Sequence, residues 1–261
     1  MTVDQDTRAA VAARLREIER ERGIAVLLAV ESGSRAWGFP SRDSDLDVRF
    51  LYARPVERYL SVAPLRDQIE LPFDPPYDVG GWDLRKAAWL LCRSNATVVE
   101  WATSPIRYVA NDPLAEGLLA LAAAVADPAA TRYHYDRMAR RAWAAVDGEG
   151  RPRLKPYCYA LRAALAARWS RETRTPPPMD LPSLLLASGV GRAAVAAAEA
   201  LVAAKRAGDE DATGARSPEL DRLIGEQLRD VAPHPGPASP SAEAVERADA
   251  LVRAFLPGAA A

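Results

Sequence analysis

An apolar run from Ala25 to Val30 stops at Glu31-Ser32-Gly33-Ser34 and is followed, after ten intervening residues, by Asp45-Leu46-Asp47-Val48; this spacing constrains the chain more than any other feature. The run has the length of a buried strand, and Asp45 to Tyr52 alternates as a half-buried strand does. Leu46, Val48 and Phe50 then share one face, and Asp45, Asp47 and Arg49 share the other. Ser34 to Trp37 reads as a turn or short helix ahead of the Pro40-Ser41 loop. The fold must therefore end one strand in a Gly-Ser turn and place two acids on one face of the next.

Those pieces suit phosphoryl transfer. Carboxylates two residues apart on a strand lie close enough to share hard cations such as a magnesium pair. Such a pair clamps the attacking and leaving oxygens of an in-line displacement. Gly33 lets the backbone approach a triphosphate, while the Ser34 hydroxyl and neighbouring N–H groups hold its terminal oxygens. A third carboxylate is expected beside the attacking hydroxyl. Asp78, in Tyr77-Asp78-Val79, is preferred to Asp83, which has a competing role as a helix cap, and Glu70 comes third.

Elsewhere the pattern predicts a helix from Gln5 to Arg22 stopped by Gly23, and short strands at Ile69–Leu71 and Tyr77–Val79 around Asp74-Pro75-Pro76. Helices are expected over Leu84–Cys92 and Ala96–Ala102. Beyond Val109 only helices are expected, broken at Asp127-Pro128, Gly148–Pro152, Pro176–Pro178 and Pro233–Pro240. The chain is read as α+β, with a catalytic domain over residues 1–110 and a helical domain over 111–261.

Composition narrows the chemistry. With 49% hydrophobic and 26% charged residues among 261, a disordered or fibrous chain is excluded. The longest apolar run, Leu118–Ala126, falls short of the roughly 18 residues of a membrane span. The first residues carry Asp4, Asp6 and Arg8 rather than a signal-peptide core, so a cytoplasmic protein is expected. Two cysteines, Cys92 and Cys158, and two histidines cannot build a soft-metal cluster, so any metal is oxygen-bound. Gly189-Val190-Gly191-Arg192 lacks the strand and helix of a dinucleotide fingerprint and reads as a helix–turn–helix connection.

Overall charge is close to zero, yet Arg132 to Arg174 holds eleven basic residues against four acidic ones, an excess suited to gathering phosphates. Within it Leu154, Cys158, Leu161, Leu165 and Trp169 form an apolar stripe at helical spacing, beside a polar stripe of Lys155, Tyr159 and Arg162. Pro156 suits the first helical position, so Lys155 is expected at the positive end of that helix. The stripe can hold β- and γ-phosphates; a solvated helix flank is the alternative.

The stretches Glu31-Ser32-Gly33-Ser34-Arg35-Ala36-Trp37-Gly38-Phe39, Asp43-Ser44-Asp45-Leu46-Asp47-Val48-Arg49-Phe50, Gly81-Trp82-Asp83-Leu84-Arg85-Lys86, Ser94-Asn95, Glu100-Trp101 and Tyr159-Ala160-Leu161-Arg162 also carry a family resemblance. They resemble the polymerase-β-like nucleotidyltransferases, and within these the RNA repair pathway group of RlaP type, from about Val26 to Leu185. The resemblance implies a mixed-sheet nucleotidyltransferase domain, a helical domain C-terminal to it, and Mg2+- or Mn2+-dependent transfer of NMP from an NTP, with RNA or tRNA as the expected acceptor; the alternatives are NMP transfer to a protein or small molecule, or a nucleotide-binding regulator without turnover. Asp45, Asp47 and Asp78 become the expected catalytic and metal-binding residues, and Gly33, Ser34, Arg35, Lys155, Tyr159 and Arg162 the expected nucleotide-binding residues.

Overall fold

The computed structural model describes residues 3–146, 150–229 and 239–256. In chain order these form α1 (Gln5–Arg22), β1 (Ala25–Glu31), α2 (Gly33–Trp37), β2 (Leu46–Ala53), α3 (Val56–Tyr59), β3 (Gln68–Glu70), β4 (Tyr77–Asp83), α4 (Leu84–Cys92), α5 (Ala96–Thr103), β5 (Arg107–Val109) and α6 (Asp112–Val125). They continue with α7 (Pro128–Trp143), α8 (Leu154–Thr173), α9 (Leu181–Ala187), α10 (Arg192–Ala207), α11 (Pro218–Arg229) and α12 (Ala242–Phe255). The expected breaks at Gly148 and in most of Pro233–Pro240 lie outside the described residues.

Two compact units emerge, and their division differs from a break at 110. The first takes residues up to 33, 45–126 and the C-terminal helix α12; the second takes 34–44 and 127–237. α6 stays with the first unit because Leu114, Leu118, Leu121 and Ala122 share a core with α4, α5 and α12. Segment 34–44, although it joins two strands of the first unit, is bonded to the end of α10: Arg42 N–H donates to Gly208 O, and Arg206 Nη2 to Gly38 O.

The first unit is a mixed sheet in the order β3-β4-β2-β1-β5, in which β2 and β4 run parallel and the other pairs antiparallel. β4 runs further than expected, through Asp83, and β5 is a short edge strand that the sequence pattern does not announce. Alternation feeds two apolar layers. Val48, Phe50 and Tyr52 of β2 pack with Val11, Leu15 and Ile18 of α1, while Leu51 joins Leu28 and Val30 under α4, α5, α6 and α12. Asp47 and Arg49 share the face of Leu51 but precede it, where they are only partly covered.

In the second unit α8 is central, contacting α7, α9, α10 and α11. Ala160, Ala163, Ala164, Ala166 and Ala167 are all buried, so the expected two-stripe helix is corrected to one packed on nearly every side. Small residues all round let four neighbours approach. Cys92 and Cys158 are buried free thiols, as expected. No single helix among the described residues is long and apolar enough to cross a membrane.

Gly81 lies opposite Phe50 in the β2–β4 register, and a Cβ there would stand 2.3 Å from the Phe50 ring. Gly81→Ala is therefore expected to destabilise the first unit by about 1–3 kcal/mol through overpacking, read as a lower midpoint in denaturant unfolding. An unchanged midpoint would mean that the Phe50 ring yields without cost.

Candidate active site

A buried carboxylate organises the end of β1. Glu31 is fully buried; its Oε1 accepts the Asp47 N–H at 3.0 Å and its Oε2 accepts the Tyr108 hydroxyl at 2.6 Å. Ser32 N–H donates to Asp47 O at 2.8 Å, and Ser104 Oγ to Glu31 O at 2.7 Å. A buried carboxylate is tolerated where donors replace its water, and here the donors also fix where Asp47 begins.

Gly33 follows at φ +61°, a left-handed conformation. A Cβ on it would lie 2.0 Å from Asp47 Oδ2, so only glycine lets the Asp47 carboxylate rest there. Asp45 immediately precedes β2 and continues its alternation of partly and fully buried residues.

The β2–β4 register sets Asp47 directly beside Asp78. Arg49 closes this pair: its Nη2 donates to Asp78 Oδ2 at 2.7 Å and lies 3.4 Å from Asp47 Oδ1, and its Nη1 donates to the Val48 and Asp78 carbonyls. Asp83, five residues along β4 and so on the opposite face, is buried and caps α4, accepting the Arg85 N–H at 2.9 Å and the Tyr59 hydroxyl. Glu70 stands on β3 opposite Gly80. Of the three acids that compete for the third position, Asp78 alone adjoins Asp47.

No group of three or more His, Cys, Asp or Glu among the described residues converges in a metal-binding cluster. Asp47 and Asp78 present carboxylate oxygens on neighbouring strands, and Arg49 places positive charge between them. Asp47 and Asp78, side by side, are donors of the type a hard divalent cation takes.

The remaining expected residues belong to the second unit. Ser34 is buried and its Oγ donates to Ser44 Oγ at 3.1 Å, while Arg35 Nη2 donates to Ser44 O at 2.6 Å. Lys155 Nζ pairs with Glu210 Oε2 at 2.5 Å. Tyr159 meets the Trp37 and Phe39 rings edge-on. Arg162 is 1% exposed, sits 4.3 Å over the Trp37 ring and donates from Nε to Met179 O at 2.7 Å. Trp37 is thus packed rather than open to a base, and each member of the polar stripe has a partner, although the Lys155 side chain stays part exposed. Glu31, Arg49, Lys205 and Glu210 were not singled out from the sequence as members of these networks. Lys205 carried a signal, as one of three lysines, whereas Glu210 lies beyond Ala207, where the hydrophobic pattern fades.

Burial pushes Asp83 above the ordinary 3.8, outweighing the Arg85 N–H, the Tyr59 hydroxyl and the Arg54 charge, which pull it down. The unfolded chain thus loses this proton first, and stability falls as pH rises from 3.8 to the raised native value. Asp83→Asn keeps the cap, so wild type is expected to lose melting temperature relative to this variant across that window, with activity little changed. A wild type that gains on the variant as pH rises would instead make Asp83 a stabilising ion-pair partner.

The model of the RNA repair pathway DNA polymerase beta family matches residues 7–254. The protein YcgL of Bacillus subtilis (strain 168) is 39% identical over 217 residues, covering 83% of this chain and 84% of that protein. With strand-borne carboxylates, a glycine seated on one of them and a family match over nearly its whole length, the chain belongs to the RNA repair pathway DNA polymerase beta family and is an enzyme of the polymerase-β-like nucleotidyltransferase superfamily.

Proposed function

We propose that this enzyme transfers NMP from an NTP to a hydroxyl at an RNA end, the hydroxyl oxygen bonding to the α-phosphorus as the bond to the β-phosphate breaks and pyrophosphate leaves, using Mg2+ or Mn2+ held by Asp45, Asp47 and Asp78. The observation that carries the reading is the Asp47–Asp78 register, with Gly33 seated against the Asp47 carboxylate. When bound, the metal supplies positive charge at the α-phosphate and at the attacking oxygen. Asp78, whose Oδ2 is engaged by Arg49, offers Oδ1 as acceptor for the proton of the attacking hydroxyl. Gly33 keeps the Asp47 carboxylate seated. In the second unit Ser34, Arg35, Lys155 and Tyr159 are the proposed phosphate donors, and Arg162 supports them from the core through Trp37.

Incubation with labelled NTPs, Mg2+ or Mn2+ and a panel of RNA, DNA, protein and small-molecule acceptors tests the reaction. Asp45→Ala and Asp47→Ala are each expected to lower turnover by about a thousand-fold, matching the several kcal/mol that a metal contributes to charge stabilisation, with the far-UV spectrum and melting profile retained. Normal turnover in either folded variant would remove these carboxylates from the reaction.

The acceptor is argued from charge. The basic excess over Arg132–Arg174 suits a nucleic-acid backbone, whereas residues 205–249 carry ten acids against six basic residues and do not. Binding of short single-stranded RNA, measured by anisotropy, is expected to weaken with salt at a log–log slope of about −0.7 for each phosphate neutralised. No affinity for RNA or tRNA even at low salt would favour a protein or small-molecule acceptor.

A further inference from the structure

Glu210 is the hub of the polar network in the second unit, and the reaction as outlined does not call on it. Its Oε1 accepts from Ser41 Oγ, from Ser44 Oγ at 2.7 Å and from Lys205 Nζ at 3.3 Å, while Oε2 pairs with Lys155 Nζ at 2.5 Å. Ser44 Oγ in turn accepts from Ser34 Oγ at 3.1 Å and from Ser41 N–H at 2.9 Å. Lys205 is fully buried and also donates to Ser41 Oγ at 3.2 Å. One carboxylate therefore links a lysine and a serine that are proposed phosphate donors.

Compensating the buried Lys205 ammonium needs one carboxylate and no second lysine. Lys155 has a side chain 41% exposed, yet it is held to the same carboxylate rather than left to sample solvent. Fixing a long, rotamer-rich cation before a ligand arrives removes an entropy cost from binding. Burial alone raises the Glu210 carboxyl, but hydrogen bonds from Lys155, Ser41 and Ser44 and the Lys205 charge outweigh it and hold the group down at about 2.

We infer that Glu210 is a positioning residue for the nucleotide, holding the Lys155 ammonium and, through Ser44, the Ser34 hydroxyl in the directions in which they meet phosphate oxygens. The inference rests on the nucleotidyltransferase reading above. Glu210 makes no contact with the substrate in this role; it acts through its two donors.

Glu210→Gln leaves Lys205 buried without a counter-charge, so the informative protein is Lys205→Met/Glu210→Gln, in which both buried charges are gone. With its melting temperature matched to wild type, this variant is expected to show an NTP KM raised about ten-fold, kcat within about two-fold and nucleoside binding unchanged. Lys155→Met supplies the control background, in which the same pair of changes is expected to raise KM by clearly less than ten-fold, because the donor it orients has been removed. An unchanged KM in the folded variant, or a full ten-fold rise persisting in the Lys155→Met background, overturns the inference. Wild-type protein that neither binds nor turns over any NTP refutes the nucleotidyltransferase reading itself, whereas wild-type turnover with an unaffected variant refutes Glu210 alone.

Discussion

Parallel pairing of β2 with β4 decides which acids of this chain meet. Side chains alternate at every residue, so a slip of one position would bring Leu46 or Val48 beside Asp78 and turn Asp47 and Arg49 into the α1 layer. The register is held at both ends. Leu46 N–H donates to Pro76 O at 2.7 Å where the pair begins, and the Phe50 ring fills the space that Gly81 leaves empty further along. β1 is then fixed to β2 by Glu31, whose buried carboxylate takes the Asp47 N–H. The positions of the carboxylates follow from strand pairing and one buried hydrogen-bond acceptor, not from the conformation of a flexible loop.

Each unit meets the same electrostatic difficulty with the opposite sign. In the first, Asp47 and Asp78 stand side by side on neighbouring strands and repel, and Arg49 lies between them. In the second, Lys155 and Lys205 are drawn to one point, and Glu210 lies between them. Neither arrangement is explained by the stability of an ion pair, since part-exposed pairs contribute little and buried ones carry a desolvation cost. What both achieve is direction: a guanidinium or a carboxylate with several fixed partners sets the orientation of the groups around it.

Much of this was legible in the sequence, and the reasons differ by element. α1, β1, β2, α4 and α5 were readable because their periodicity is strong and their ends carry caps, Asp4, Asp83 and Asn95 among them. The capping role of Asp83 was also readable, because Asp83 stands just ahead of a helical pattern that needs a cap. β5 was not readable: three residues carry no periodicity, and only pairing with β1 makes them a strand. The compact units divide elsewhere than at 110 because α6 and α12 share a core with α4 and α5, partners that for α12 lie far away in sequence. Lys155, Tyr159 and Arg162 were grouped by helical spacing, yet the spacing could not say that Arg162 would be covered by Trp37 or that Lys155 would find Glu210.

The Gly-Ser signature draws its meaning from where the chain changes allegiance. Gly33 is the last residue of its stretch in the first unit and lies against Asp47; Ser34 is the first residue of the second unit and is bonded to Ser44. On the return, Ser44 closes the same excursion and Asp45 reopens the first unit. Because Ser34 and Ser44 bond to each other at 3.1 Å, the segment is tied at its base, and both its ends share the hydroxyl network that terminates on Glu210. A glycine is required on one side of the junction for steric reasons and a hydroxyl on the other for hydrogen bonding. Two adjacent positions therefore answer to two separate networks, which is why this dipeptide, more than either acid alone, marks the chain.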